Sequence, residues 1–163
     1  MKLKIKVKNL GGTLPKIIEK GDWVDLSSRQ EMGIRGPQSY KKEVTFDSTL
    51  IPLGVAMKLP KGFEAIVAPR SSSFKNFRII QTNSIGVIDN TYCGNEDEWM
   101  MPVTALRNTV INEGDRVCQF RIQLSQKANV WQKIKWALSS GIKFVEVDEL
   151  NPEDRGGFGS TGK

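Results

Sequence analysis

An all-β fold is expected for this 163-residue chain on three observations. Apolar and polar residues alternate in short runs, clusters of Gly, Pro, Asn and Asp punctuate those runs at short intervals, and only one stretch carries helical spacing. Many short strands joined by such turns build a sandwich or a barrel. The length suits one domain that buries most of its apolar surface without disulfide staples.

The first run alternates Leu3, Ile5 and Val7 with Lys2, Lys4, Lys6 and Lys8, so a strand with a solvated lysine face is expected. It lacks the interleaved aromatics of single-strand nucleic-acid binders. Further strands are expected at Val44 to Phe46, Leu50 to Leu59, Phe63 to Pro69, Arg78 to Gln81, Met101 to Arg107, Asp115 to Gln123 and Lys143 to Val147. Gly11-Gly12, Pro37, Pro60-Lys61-Gly62, Gly94-Asn95 and Asn112-Glu113-Gly114-Asp115 supply the turns between them. From about Ala128 to Leu138, residues Val130, Ile134 and Leu138 fall at helical spacing beside Trp131, and Ser139-Ser140-Gly141 stops the run. One short amphipathic helix is expected there, covering a sheet edge or the bottom of the barrel, or else presenting a surface to a protein partner. The chain closes on Gly156 to Lys163, whose glycines predict a mobile tail unless a ligand orders it.

Composition removes whole classes of chemistry. The chain has no histidine, which excludes Ser-His-Asp triads, Cys-His dyads, His-ligated zinc and imidazole bases. Cys93 and Cys118 form no CxxC pair, which argues against a disulfide framework or a thiolate metal site and fits a reducing compartment. A general base must then be a carboxylate, and a metal ligand an oxygen. No long apolar run or leader is evident, so a cytoplasmic protein without membrane association is expected. The net charge of +6 points toward an anionic partner.

Five segments concentrate polar residues that simple turns do not require. In Ala68 to Ser73, Arg70 is followed by Ser71, Ser72 and Ser73, a donor cluster that suits phosphate oxygens or caps the next element. Asn83 to Tyr92 has the composition of a β-hairpin with a functional interior. Asn83 offers an acceptor and a donor to a pyrimidine edge, Gly86 permits close backbone approach, and Tyr92 could wall off a sugar. Asp89 follows Gly86, Val87 and Ile88, so it is expected to be partly shielded and is the candidate base, although an ordinary turn Asp has the same local wording. Gln119 stands among apolar neighbours in Gly114 to Phe120, where a buried amide would need partners. Gly21 to Leu26 is a turn feeding a strand with Asp25 in it. In the tail, Ser160, Thr161, Lys163 and the backbone N–H groups are oligophosphate donors, and Phe158 offers a face for a base.

In order, these segments resemble the five motifs of the trimeric dUTP diphosphatases (dUTPases), with wording in the middle three closest to those of Gram-positive bacteria and their phages. Gly21 to Leu26 resembles the first motif, Pro69 to Ser73 the second, Gly86 to Gly94 the third, Gly114 to Gln119 the fourth and Gly156 to Gly162 the fifth. The resemblance implies a jelly-roll-like barrel of the β-clip type, a homotrimer, and hydrolysis of dUTP to dUMP and pyrophosphate, which keeps uracil out of DNA and supplies dUMP. Residues 1–150 would form the barrel, with a helical insert near 128–138. Residues 151–163 would be a mobile arm completing a neighbouring subunit's site. By the same resemblance Asp89 activates the water that attacks the α-phosphorus, with Gln119 holding that water or the α-phosphate. Asn83, Gly86, Val87, Ile88, Tyr92 and Phe158 hold uracil and deoxyribose. Arg70, Ser71, Ser72, Arg155, Gly159, Ser160 and Thr161 contact the phosphates, and Asp25 supports the site through Arg70 or a metal-bound water. Magnesium is implied as a cofactor carried by the triphosphate, with no direct protein ligand.

The chain departs from the family pattern at Thr91, where Asp is frequent, and at Asn95, where an acid is common. Arg155 abuts Gly156-Gly157 directly, so either it or Lys163 takes the γ-phosphate. The span from Gln119 to Gly156 is long, and the excess coincides with the expected helix. Three other roles remain open at this level: a dCTP deaminase of the same fold, a dUTP-sensing regulatory protein that binds a partner through residues 128–138, and a nucleic-acid module supported by charge alone, with no specific nucleic acid indicated.

Overall fold

The pleat of β1 (Leu3–Asn9) separates its residues as expected: Leu3, Ile5 and Val7 are buried, and Lys4 and Lys6 are exposed. The structure is a computed structural model that describes residues 1–158; the expectations for Gly159, Ser160, Thr161 and Lys163 lie outside the described residues. The order continues β2 (Val24–Ser27), β3 (Met32–Ile34), β4 (Gln38–Tyr40), β5 (Glu43–Thr45), β6 (Thr49–Pro52), β7 (Val55–Lys58), β8 (Phe63–Pro69), α1 (Ser73–Phe77), β9 (Ile79–Gln81) and β10 (Gly86–Asp89). It ends β11 (Met100–Ala105), β12 (Thr109–Ile111), β13 (Arg116–Leu124), α2 (Val130–Ala137) and β14 (Ile142–Glu146).

Three sheets surround the core. β1 lies between β14, which it meets in parallel, and antiparallel β7. An antiparallel sheet runs β10-β8-β13-β2, and a third runs β6-β11-β9, with the pairs β12-β3 and β4-β5 outside them. Their inner faces meet on Phe63, Trp99 and Phe120, all essentially inaccessible. The Trp99 ring stands edge-on to Phe120 at 5.2 Å, and Phe120 in turn meets Phe144 of β14 at 6.1 Å. Truncating a ring of this kind to Ala typically costs about 3–5 kcal/mol. In β13 a register shift between Arg116 and Cys118 lets consecutive Val117 and Cys118 both face inward.

Four expectations need correction. Leu50 to Leu59 is two strands, because Gly54 turns between β6 and β7 at φ +69°, where an added Cβ would overlap the Gly12 backbone. There are two helices among the described residues, not one: the serine cluster opens α1, too short to leave a period in the sequence. The longer helix does form, with Asn129 and Gln132 closing a reciprocal capping box. Its buried side, however, is not the one the spacing suggested. Trp136 packs edge-on against Phe63 at 5.4 Å, while Val130, Trp131, Ile134 and Leu138 are all exposed. Finally, Gln119 is not a buried amide; the pleat turns it outward between Cys118 and Phe120 and leaves it half-buried.

Candidate active site

Asn83 to Tyr92 is not a β-hairpin: it holds one strand, β10, which pairs with β8 at the sheet edge and carries the first half of the site. It pairs with β8 in the register Gly86↔Val67 to Asp89↔Glu64, and a cavity of about 230 Å³ opens beside it. Asn83, Gly86, Val87, Ile88, Asp89, Tyr92, Arg155 and Phe158 all line that cavity, so the structure brings together eight of the residues the sequence singled out. An added Cβ on Gly86 would press on Val67 at 3.3 Å, which accounts for glycine at the point where β10 hugs the sheet. Tyr92 is fixed by its hydroxyl, which donates to the Glu98 carbonyl at 2.8 Å; burial, then Asp97, Glu98 and Asp154, push its pKa up to about 12. The phenol therefore stays neutral and serves as a wall.

Asp89 is held from two sides. The Thr91 hydroxyl and N–H donate to Oδ1 at 2.6 and 2.8 Å, and Arg155 Nη1 donates to Oδ2 at 2.9 Å. Burial raises its pKa, but the Thr91 bonds and the Arg155 charge outweigh that and leave the carboxyl below its ordinary value. It is ionised at neutral pH. The departure from the family pattern at Thr91 is thus a neutral donor aimed at the candidate base.

Sequence reasoning missed three residues here. Buried Gln81 donates from Nε2 to Asn83 Oδ1 at 2.8 Å, which fixes the Asn83 amide, while its own Oε1 has no protein partner beside the cavity. Buried Asp97 accepts from the N–H groups of Gly94, Arg155 and Gly156, and so ties the start of the arm to the domain. Glu98, which lines the cavity, accepts from Gly54 N–H and pairs with Arg29 at 3.4 Å. The Asp97-Glu98 pair before an apolar run was the available signal, since two adjacent acids entering a core need donors.

The second half of the site lies at the far end of the same sheet. Asp25 of β2 accepts from Arg70 Nε at 2.8 Å and Arg116 Nη1 at 3.0 Å, and Arg70 Nη1 also reaches Ser72 Oγ at 3.2 Å. The support of Arg70 by Asp25 is present. Gln119 lies opposite both Asp25 and Ala68 and donates to the Pro69 carbonyl at 3.2 Å. Ser71 is exposed, whereas Ser73 is buried and donates to the Val117 carbonyl at 2.6 Å, a structural bond that seats α1. Two guanidiniums share one carboxylate, so the cluster keeps a net positive charge suited to phosphate.

The two halves do not meet within one chain. Asp89 lies opposite Glu64 while Gln119 lies opposite Ala68, four residues on along β8, which is roughly 13 Å along the strand before the lateral step across the sheet. Asp25, Arg70, Ser71, Ser72 and Gln119 do not line the Asp89 cavity.

A family model for dUTPase matches residues 34–162. The chain belongs to the dUTPase family. It is similar to the SPbeta prophage-derived deoxyuridine 5′-triphosphate nucleotidohydrolase of Bacillus subtilis, 46% identical over 98% of this chain and 99% of that one. The deoxyuridine 5′-triphosphate nucleotidohydrolase of Clostridium acetobutylicum is 35% identical over 98% of this chain and 96% of its own. Among solved structures, the dUTPase of Streptococcus mutans superposes with a TM-score of 0.60 at 23% identity, covering 71% of this chain and 88% of its own. An Asp-to-Asn mutant of the dUTPase from Staphylococcus aureus phage phi11, described for its coordination of a structural Mg(II) ion, gives 0.62 at 16% identity over 77% and 94%. These likenesses fit the mostly-β, jelly-roll-like architecture of this dUTPase.

Proposed function

We infer that this chain hydrolyses dUTP to dUMP and pyrophosphate. The observation that carries the reading is the convergence on one cavity of an ionised Asp89, the Asn83 amide and the Tyr92 wall. Asp89 orients and deprotonates the water that attacks the α-phosphorus. Asn83 Oδ1 is engaged by Gln81, so its amide N–H is the group left for a uracil carbonyl, and Gln81 Oε1, unpartnered but shielded behind the cavity wall, complements an imide N–H once its side chain turns toward the ligand. Cytosine, with a ring acceptor in place of that N–H, is mismatched. Tyr92 excludes a 2′-hydroxyl by sterics. Arg70, Ser71, Ser72 and Gln119 bind the phosphates and the attacking water.

Because those four residues lie away from Asp89 in one chain, the active site is assembled between subunits of a homotrimer, with the β10 edge of one facing the Arg70 cluster of another. The arm serves a neighbour as well. Its seat beside its own β10 pairs Arg155 with the base, which leaves the carboxylate engaged rather than free for water. Arg155 therefore leaves Asp89 when substrate binds and turns to the terminal phosphate.

Among the described residues no group of three or more acidic or thiol side chains is disposed to hold a metal ion. Asp25 already faces two arginines and Asp89 is engaged by Thr91 and Arg155, so this donor set fits magnesium carried by the triphosphate oxygens. When bound there it neutralises phosphate charge. No helix among the described residues is long and apolar enough to cross a membrane.

Pyrophosphate release from dUTP, dTTP, dCTP and UTP tests the reading. Release from dUTP alone is expected; equal release from dCTP would overturn the base-reading roles of Asn83 and Gln81, and no release from any of the four would overturn the activity.

A further inference from the structure

The lysine face of β1 has no structural explanation in the sheet that carries it. Lysines on edge strands block unwanted strand pairing, but β1 is a central strand between β14 and β7. They also face their own kind, since Lys4 lies opposite Lys143 of β14 and Lys6 opposite Lys58 of β7. Like charges directly across a ladder destabilise it. Over this face runs a groove of about 690 Å³ lined by Lys2, Lys4, Lys6, Lys58, Lys61 and Lys135, with no carboxylate among its lining residues. Lys8, beyond the groove, has an acidic partner, Glu96 at 3.9 Å. A further feature lies beyond the lining itself: Trp131, 78% exposed, stands one helical turn before the lining residue Lys135 on the same side of α2.

We propose that this groove binds the phosphate backbone of a single-stranded nucleic acid, without sequence preference. Alternate residues of a strand recur at roughly 6.6 Å, so Lys2, Lys4 and Lys6 form a row whose spacing is of the order of one nucleotide step in an extended strand. A free triphosphate, whose phosphorus atoms lie closer together, is too short to span that row. The bound backbone places negative charge between the opposed lysines and relieves their repulsion. Trp131 supplies the sequence-tolerant element, a flat face for one base beyond the lining. The basic run lacks interleaved aromatics in sequence, but α2 brings one to it from more than a hundred residues away.

Fluorescence anisotropy of a labelled oligothymidylate with the full-length protein tests the proposal. Wild type is expected to bind at low salt, with affinity falling on a log–log scale by a slope of about 0.7 for each phosphate neutralised. Lys4→Glu/Lys6→Glu should weaken binding by about tenfold or more and flatten the slope, while melting no lower than wild type, because each reversal turns a like pair into an opposite one. Trp131→Ala should weaken it by about fivefold or more. Lys16→Glu/Lys20→Glu makes the same charge change at exposed positions outside the groove and should leave binding within about twofold. All three variants should hydrolyse dUTP at the wild-type rate, which confirms their fold. Absence of binding overturns the proposal, as does an equal loss from the Lys16/Lys20 variant. So does displacement of the oligonucleotide by tripolyphosphate or oligoglutamate at matched charge, which would make the groove a small-anion or acidic-peptide site.

Discussion

The β10 pocket and the arginine cluster share one sheet and are built on opposite principles. Around Gly86–Asp89 a cavity opens, Gln81 Oε1 is left without a protein partner, and Asp89 is kept ionised by Thr91 and Arg155. At Asp25, Arg70, Arg116 and Gln119, two guanidiniums braced by one acid leave an excess of positive charge. The pocket can recognise a base and aim a water, yet it holds no cation for phosphates beyond the arm's own arginine. The cluster can hold phosphates, yet it has no free base. Each half lacks what the other has, and the ladder register keeps them apart in one chain. That separation is the physical argument for a site shared between subunits.

The sharpest way to break the comparison is at Asp89. Asp89→Asn keeps the shape and the Thr91 contacts but cannot take the water's proton, so turnover should fall by about a hundred- to ten-thousand-fold with dUTP binding retained. Near-normal turnover would move the base elsewhere.

Mixing tests whether the halves combine in trans. Asp89→Asn and Arg70→Ala subunits, each of low activity, should restore activity at about a quarter of the sites after random exchange, since such sites pair an intact Asp89 with an intact Arg70. An arm-deleted subunit mixed with Asp89→Asn should recover as well. Recovery in the first mixture alone would confine the arm to its own β10 pocket, and recovery in neither, after verified exchange, would place the whole site in one chain.

A smaller effect is expected where the arm is anchored. Asp97→Ala removes the acceptor shared by Gly94, Arg155 and Gly156 and should destabilise the fold by about 2 kcal/mol. Thermal melting reads that loss, and an unchanged melting temperature would show that the arm's root contributes nothing to stability.

The smallest change concerns Thr91→Val. Loss of the hydroxyl removes one influence that holds the Asp89 pKa below 3.8, so the pKa rises and the acid limb of the kcat/KM profile moves to higher pH. In stability the sign is the same: a depressed carboxyl stabilises the fold above its ordinary value and loses that contribution as pH falls through the folded value. An acid limb that stays in place would mean that the Thr91 hydroxyl does not bear on the base.

Much of this was legible in the chain because its signals are local. Alternation in β1, the turn glycines, the Asn129–Gln132 cap and the run Gly86-Val87-Ile88-Asp89 each need only neighbouring residues to be interpreted. The absence of histidine likewise decided that a base must be a carboxylate. What only the tertiary structure decided depends on residues distant in sequence. The period of α2 defined a helix, but Phe63 selected the partly buried Trp136 as its contact and left Trp131 and Leu138 in solvent. Gln119 looks buried beside Cys118 and Phe120, and the pleat of β13 turns it outward. Arg155 looks like a phosphate ligand in the sequence, and the fold sets it on Asp89, 66 residues away, because Asp97 pins the backbone between them. A sequence fixes which chemistry is present and its local period; only the packing of strands decides which groups come within bonding distance.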